Sequence, residues 1–184
     1  MITIVPFIPV YRDAVIELIL PIQQREFGIA IGLQDQPDLL DIPGFYQQQA
    51  GNFWLALHEG VVIGSIALLD IGNAQAALRK MFVAAPFRGK SHGVAQRLLE
   101  ALLDWCELKQ VREIYLGTTA QFIAAQRFYR KNGFIEIAKA ELPAGFPVMA
   151  VDSVFFTRNV SLDKFGGDRA STCSLMQEEK HYDR

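Results

Sequence analysis

The segment 78–93 constrains this chain more than any other part of it. A β-prone run, Leu78 to Val83, passes beyond Pro86 through Phe87-Arg-Gly-Lys-Ser-His-Gly93 into the longest amphipathic repeat of the sequence. Within 93–109, Val94, Leu98, Leu102, Trp105 and Leu108 recur at helical spacing opposite Arg97, Glu100, Asp104 and Glu107. A strand that feeds a helix through a loop of small residues sets the helix N-terminus at the end of a sheet. The first-turn amides there lack intrahelical partners and the helix dipole is positive, so the position favours a phosphate. Gly89 and Gly93 let the backbone approach such a ligand without a Cβ in the way, and Arg88 and Lys90 add charge.

The remaining pattern is that of an α/β domain. Ile2, Ile4 and Phe7 start a short strand interrupted by Pro6 and Pro9; Asp13 is expected to cap a helix carrying Val15, Leu18, Ile19 and Ile22, and Pro21 to kink or end it. Residues 28–51, with Gly28, Gly32, Pro37, Pro43 and Gly44, read as loop-rich cover rather than core, with a helical piece at 45–49. Residues 53–57 and 61–71 flank a Glu59-Gly60 turn, a hairpin signal with bulge potential at Gly64, and 78–83 continues the meander. Then come a strand at 113–117, a helix at 120–132 with Gly133 as its left-handed cap, and strands at 134–137 and 148–156. The expected fold is a mixed, largely antiparallel sheet of six or seven strands with helices on both faces. Residues 1–160 read as one domain and 161–184, with five acidic and four basic side chains, as a polar tail.

Charge narrows the function. Eighteen Lys plus Arg against twenty Asp plus Glu leave a formal charge of −2, so no global basic field is available for nucleic acid or an anionic membrane. The most apolar stretch, 61–71, falls short of the roughly 18 to 20 residues that a membrane helix needs. The N-terminus has no basic n-region or small-residue cleavage site, and two cysteines, Cys106 and Cys173, make no disulfide framework, so a cytoplasmic protein is expected. His92 and His58 have no second ligand at metal spacing, and Cys106 has no histidine partner, so neither a metal site nor a thiol nucleophile is expected.

Three readings of the loop compete. A Walker A motif matches in its second half, Gly89-Lys90-Ser91, but Ala84 stands at its first glycine; a dinucleotide fingerprint is absent; a basic loop that merely caps a helix is the bland option. Two separated motifs favour a fourth. Arg88-Gly-Lys-Ser-His-Gly93 is similar to the acyl-CoA loop Arg/Gln-x-x-Gly-x-Gly/Ala of the GCN5-related N-acetyltransferases, with Ser91 at the usual middle glycine. About 40 residues on, Ala125-Gln-Arg-Phe-Tyr-Arg-Lys-Asn-Gly-Phe134 resembles that family's Ala-x-x-x-Tyr-x-Lys-x-Gly-Phe segment.

The resemblance, which spans roughly residues 2 to 158, implies direct transfer of an acetyl group from acetyl-CoA, the cosubstrate, to a primary amine. Met81, Phe82 and Val83 would pair with the pantetheine arm along a strand splayed from its neighbour. Arg88, Gly89, Lys90, Ser91, His92 and Gly93 would hold the pyrophosphate, and Tyr129 would protonate the departing thiolate. By periodicity alone Tyr129 reads as an aromatic on a helix face. Two features depart from the family pattern: Phe122, with Gln121 beside it, replaces a CoA-binding Asn, and Tyr115-Leu-Gly-Thr-Thr119 carries no carboxylate base, which leaves water or an acid such as Glu26. The expected acceptor is a small, amino-acid-like amine, with residues 28–45 covering it. A protein N-terminus or lysine, a non-catalytic CoA sensor, an interaction module and a homodimer stay open.

Overall fold

Asn52-Phe-Trp-Leu-Ala-Leu-His58 is apolar at nearly every position because both faces of its strand are covered. Phe53, Leu55 and Leu57 pack on one side of the sheet with Val15, Ile19, Leu39, Ile42 and Tyr46; Trp54 and Ala56 pack on the other with Leu98, Leu99, Leu102 and Phe156. The computed structural model describes residues 1–161. Seven strands, β1 (Ile2–Pro6), β2 (Asn52–His58), β3 (Val61–Gly72), β4 (Gln75–Val83), β5 (Glu113–Thr118), β6 (Ile135–Ile137) and β7 (Val154–Asn159), form one sheet ordered β1-β2-β3-β4-β5-β7-β6. All neighbours are antiparallel except β4 and β5. Helices α1 (Arg12–Pro21) and α2 (Ile42–Phe45) cover one face, and α3 (Val94–Lys109) and α4 (Ile123–Lys131) the other. This is the expected mixed, largely antiparallel fold.

Two irregularities shape the middle of the sheet. Ala56 faces Gly64 and Leu57 faces Val62, so Ile63 is the extra residue of a bulge beside the glycine that signalled it. The second bulge carries no such signal. Ala67 faces Arg79 and Ser65 faces Phe82, so Lys80 and Met81 together oppose Ile66, and Lys80 adopts a φ of 51°. Ser65 Oγ donates to the Lys80 carbonyl at 2.6 Å and holds the distortion in place. A bulge turns the side chains that follow it, which is why bulges gather near binding sites.

β4 and β5 pair only from Gln75 with Glu113 to Ala77 with Tyr115. Beyond that point the strands separate, and the gap between Leu78–Val83 and Leu116–Thr118 opens the sheet itself. The splay expected at Met81 to Val83 is present.

Several local expectations are corrected. Asp13 does not cap α1: Tyr11 occupies that place without a side-chain bond, and Asp13 sits in the first turn against Arg12 at 3.3 Å. Pro21 does end α1, as expected: it is the last α-helical residue, and a wide π-turn follows, Ile22–Glu26, closed by the Phe27 amide on the Ile22 carbonyl at 3.1 Å. The segment 28–51 is not mere cover, since Gln36, Asp38, Leu39, Ile42 and Tyr46 are all buried. Its helix is Ile42–Phe45 rather than 45–49, with the Asp41 carboxylate accepting the Gly44 amide at 3.0 Å. The final strand starts at Val154, because 149–152 form a turn closed from the Asp152 amide to the Met149 carbonyl. The tail, from residue 162 on, lies outside the described residues.

Candidate active site

The gap between β4 and β5 continues into a cleft of about 1000 Å³. The end of β4, the loop to α3, the first turn of α3, the start of α4 and the 146–152 turn line it. Of the residues singled out from sequence, Met81, Phe82, Val83, Arg88, Gly89, Lys90, Gly93 and Tyr129 share this cleft. Ser91 and His92 do not line it; both are exposed, and His92 leans on the Phe87 ring at 5.6 Å between centroids.

At the loop end, the free amides expected of a helix N-terminus are present. Arg97 is the first residue of α3 to donate back, to the Gly93 carbonyl at 3.0 Å, and no side chain caps the turn. Among the described residues the amides of Val94, Ala95 and Gln96 have no acceptor, as the geometry of a first turn requires. Gly93 has φ 61° and Gly89 φ 98°, and a Cβ built on either would meet nothing within 4 Å. The cradle is therefore open on the side where a pyrophosphate would lie, and its positive helix end suits that charge.

Arg88 has a different local role from that of a free cation. Its Nε donates to the Val83 carbonyl at 2.8 Å, and its two terminal nitrogens grip both oxygens of Glu26, one of them at 2.9 Å. The pair fastens the loop to the π-turn after α1. The Arg88 hydrogen bond is also the largest cause holding the Glu26 carboxyl below its ordinary pKa. A carboxylate held ionised by a guanidinium is a poor proton acceptor, so Glu26 is not suited to be the base.

Deeper in, Tyr129 projects from α4 among Phe128, Phe134 and Phe156, with ring centroids 5.6 to 6.0 Å away. It is 5% exposed, and its hydroxyl has no hydrogen-bond partner among the described residues. Burial raises its pKa well above the usual phenol value, with no opposing cause. A second cleft oxygen is also unpartnered, the buried Oγ1 of Thr119. Both hydroxyls therefore keep hydrogen-bonding capacity that water or a ligand can take up. Phe122 lines the cleft, its ring packed on that of Phe27 with centroids 4.6 Å apart, and Gln121 lines it beside Phe122.

A buried polar network lies under the β4 bulge, and sequence reading missed it. Lys80 Nζ donates to Gln36 Oε1 and stands 3.4 Å from Asp38 Oδ2. Gln36 and Gln23 exchange amide bonds at 2.9 and 3.1 Å, and Tyr46 Oη donates to Asp38 at 2.5 Å. Desolvation lowers the Lys80 pKa to about 8 even though Asp38 opposes it. The only signal in the sequence was a pair of polar residues, Gln36 and Asp38, among Leu33, Leu39 and Ile42. Cys106 is buried and free, with burial pushing its thiol up to about 12. Among the described residues no group of three or more His, Cys, Asp or Glu could hold a metal, and no helix is long and apolar enough to cross a membrane.

A sheet split between parallel neighbours, with a free helix N-terminus at one end of the gap and a buried phenol inside it, defines an acyl-CoA N-acyltransferase fold. Residues 16–134 match the model of the acetyltransferase (GNAT) family, and the chain belongs to that family. A solved acetyltransferase of the GNAT family from Staphylococcus aureus is 40% identical, with a TM-score of 0.84 over 88% of this chain and 100% of its own. The N-acetylaspartate synthetase of Xenopus tropicalis is 35% identical over 125 residues, 65% of this chain and 45% of its own length. The chain thus spans less than half the length of the N-acetylaspartate synthetases it matches. The fold, though not the sequence, is also close to that of N-acetylglutamate synthase from Neisseria gonorrhoeae, solved with coenzyme A and N-acetyl-glutamate: TM-score 0.67 at 15% identity, over 88% of this chain and 35% of that one.

Proposed function

We propose that this protein is an acetyl-CoA-dependent N-acetyltransferase that passes the acetyl group directly to the primary amine of a small, amino-acid-like acceptor. The observation that carries the reading is the split between β4 and β5, which puts unpaired strand edge, unpaired helix amides and the Tyr129 hydroxyl around one space. The free edge at Met81, Phe82 and Val83 pairs with the pantetheine arm and offers a backbone N–H to the thioester oxygen. Gly89, Lys90, Gly93 and the α3 amides take the pyrophosphate. Arg88 keeps that loop in place through Glu26 and Val83.

Tyr129 then supplies the proton for sulfur. A phenol whose pKa is raised by burial stays protonated at neutral pH, and the same dry surroundings raise the proton affinity of the departing thiolate. The amino-acid-like acceptor draws support from the relatives named N-acetylaspartate synthetase. A cytoplasmic site of action fits the buried free thiol of Cys106, and the net charge of −2 argues against nucleic acid as a partner.

Incubating the protein with acetyl-CoA and a panel of amines, with thiol release and acetylated product both measured, tests the reading. Product and thiol are expected in equal amounts with at least one small amine. Acetyl-CoA that binds but is never consumed across amino acids, polyamines and peptides would refute it.

A further inference from the structure

On β4, one cation that lines the cleft has no ion-pair partner among the described residues. Arg79 is half-buried; its Nη2 donates to Met149 Sδ at 3.1 Å, and its guanidinium lies 5.7 Å from the Phe45 ring and 5.9 Å from that of Tyr46. Among the described residues it forms no ion pair. A thioether is a weak acceptor, so a fork of five donors is held in position with most of them unspent. Its neighbour Lys80 is already matched by Asp38.

Asp152 stands across from it. Gly117 of β5 makes room, since a Cβ there would fall 2.5 Å from Asp152 Oδ2. A carboxylate from the turn before β7 thus occupies a position beside Gly117 of the fifth strand, where Tyr115-Leu-Gly-Thr-Thr119 provides none. One of its oxygens accepts the Met149 amide at 2.9 Å; desolvation raises its pKa, while that bond and the charges of Arg79 and Lys80 pull it back. Met149 touches both groups, its sulfur on Arg79 and its amide on Asp152. With Lys80 and Asp38 paired, β4 and the 146–152 turn still present one cation, Arg79, and one carboxylate, Asp152, to the cleft with no ion pair between them, while Lys90, Arg127 and Lys131 line it from the α3 loop and α4.

The geometry points to a subsite for a zwitterion, in which Arg79 takes the carboxylate of an amino acid and Asp152 takes its ammonium group. This rests on the N-acetyltransferase reading for where the reacting carbon lies, and narrows its acceptor to amines that bear a carboxylate. The ammonium proton passes to Asp152, and the freed lone pair forms the N–C bond to the thioester carbonyl as its C=O π-bond opens onto oxygen. Collapse of that adduct restores the C=O and breaks the C–S bond; the thiolate takes the Tyr129 proton, and the second proton that the nitrogen sheds in becoming an amide returns to the Tyr129 oxygen, while Asp152 releases its proton to solvent.

Calorimetry on the CoA-saturated protein tests the subsite, with L-aspartate as probe beside L-asparagine, aspartate amidated at the α-carboxyl, and ethanolamine. L-aspartate is expected to bind at least about tenfold more tightly than ethanolamine, the worth of a charge-assisted bond. Whichever amide falls to the ethanolamine level identifies the carboxylate that Arg79 holds. Arg79→Gln is expected to abolish the preference and Arg79→Lys to keep part of it, with stabilisation by CoA confirming that both are folded. Asp152→Asn is expected to weaken L-aspartate but not succinate, which has no ammonium group. Ethanolamine binding as tightly as L-aspartate, an undiminished preference in Arg79→Gln, or no binding of L-aspartate, L-glutamate and glycine alike would overturn the proposal. Acetylation of ethanolamine as fast as of amino acids sinks the subsite and leaves the transferase standing. L-aspartate binding that Arg79→Gln removes, without acetyl transfer to any amine, supports the subsite and sinks the transferase.

Discussion

At the scale of single residues, Tyr129 has two roles to separate, ring and hydroxyl. The ring packs on Phe134 and Phe156, while the hydroxyl bonds to nothing among the described residues. Tyr129→Phe therefore removes no internal hydrogen bond, and its stability is expected to stay within about 0.5 kcal/mol of the parent. Turnover is expected to fall by about 10² to 10⁴, the usual worth of a general acid, with acetyl-CoA affinity unchanged. Near-parental turnover on a verified acceptor would take Tyr129 out of the mechanism. Lys80 makes a pH prediction. Its pKa is about 8 in the folded protein against an ordinary 10.5, so between those values the unfolded chain binds more protons than the folded one. Stability from this group is thus expected to rise with pH from about 8 toward 10; the raised Cys106 thiol acts in the opposite sense from about 9, and the raised tyrosines, Tyr46, Tyr115 and Tyr129, do so beyond 10. Urea titrations at pH 7.5 to 9.5 check it: Lys80→Met should lose the upward slope, and an unchanged slope would assign it elsewhere. Tyr129 was legible because it sits in a spaced motif. Arg79, Lys80 and Asp152 were not, because their meaning depends on a bulge and on a glycine in another strand.

At the scale of elements, the loop and first turn of α3 act together, and Gly93 is where they join. Its φ of 61° makes any side chain there cost about 1 to 2 kcal/mol of backbone strain. Gly93→Ala carries that strain without charge, whereas Gly93→Glu adds a carboxylate beside the free amides of Val94 to Gln96. Both are expected to melt lower than the parent, but only Gly93→Glu should lose stabilisation by acetyl-CoA. Equal stabilisation of both variants would place the phosphates elsewhere. α3 itself was readable from its apolar stripe, and β2–β3 from the Glu59-Gly60 turn, since period and turn chemistry are local properties. The segment 28–51 misled because Pro37, Pro43 and Gly44 break any period among Leu33, Leu39, Ile42 and Tyr46, although these residues are drawn into one core by the sheet. Asp13 misled for a simpler reason: the helix begins two residues earlier than an Asp13 cap would set it, on a 3₁₀ turn, Pro9–Tyr11, that needs no side-chain cap.

At the scale of the whole molecule, the cleft joins parts of the chain that are distant in sequence. Ile22 and Phe27 after α1, the end of β4, α4 and the 146–152 turn all face it. Arg88 with Glu26 ties the N-terminal part to the α3 loop, and Arg97 Nη1 on the Ile2 carbonyl at 2.7 Å ties α3 back to β1. Because the parallel neighbours β4 and β5 share only three residue pairs, the two halves of the sheet are held together beyond Ala77 mainly by packing around an open space. A ligand that fills this space binds the folded chain and has no counterpart in the unfolded one. At 100 times its dissociation constant, acetyl-CoA is therefore expected to stabilise the protein by about 2.7 kcal/mol through linkage alone. For a domain of this size each kcal/mol moves the melting temperature by about 2 to 4 °C, so the shift should be about 5 to 10 °C. Desulfo-CoA should produce most of it, since phosphate and pantetheine contacts are kept, whereas free acetate should produce none. A thermal scan that shows no shift at millimolar acetyl-CoA would mean that the cleft, whatever its shape, does not bind this cosubstrate.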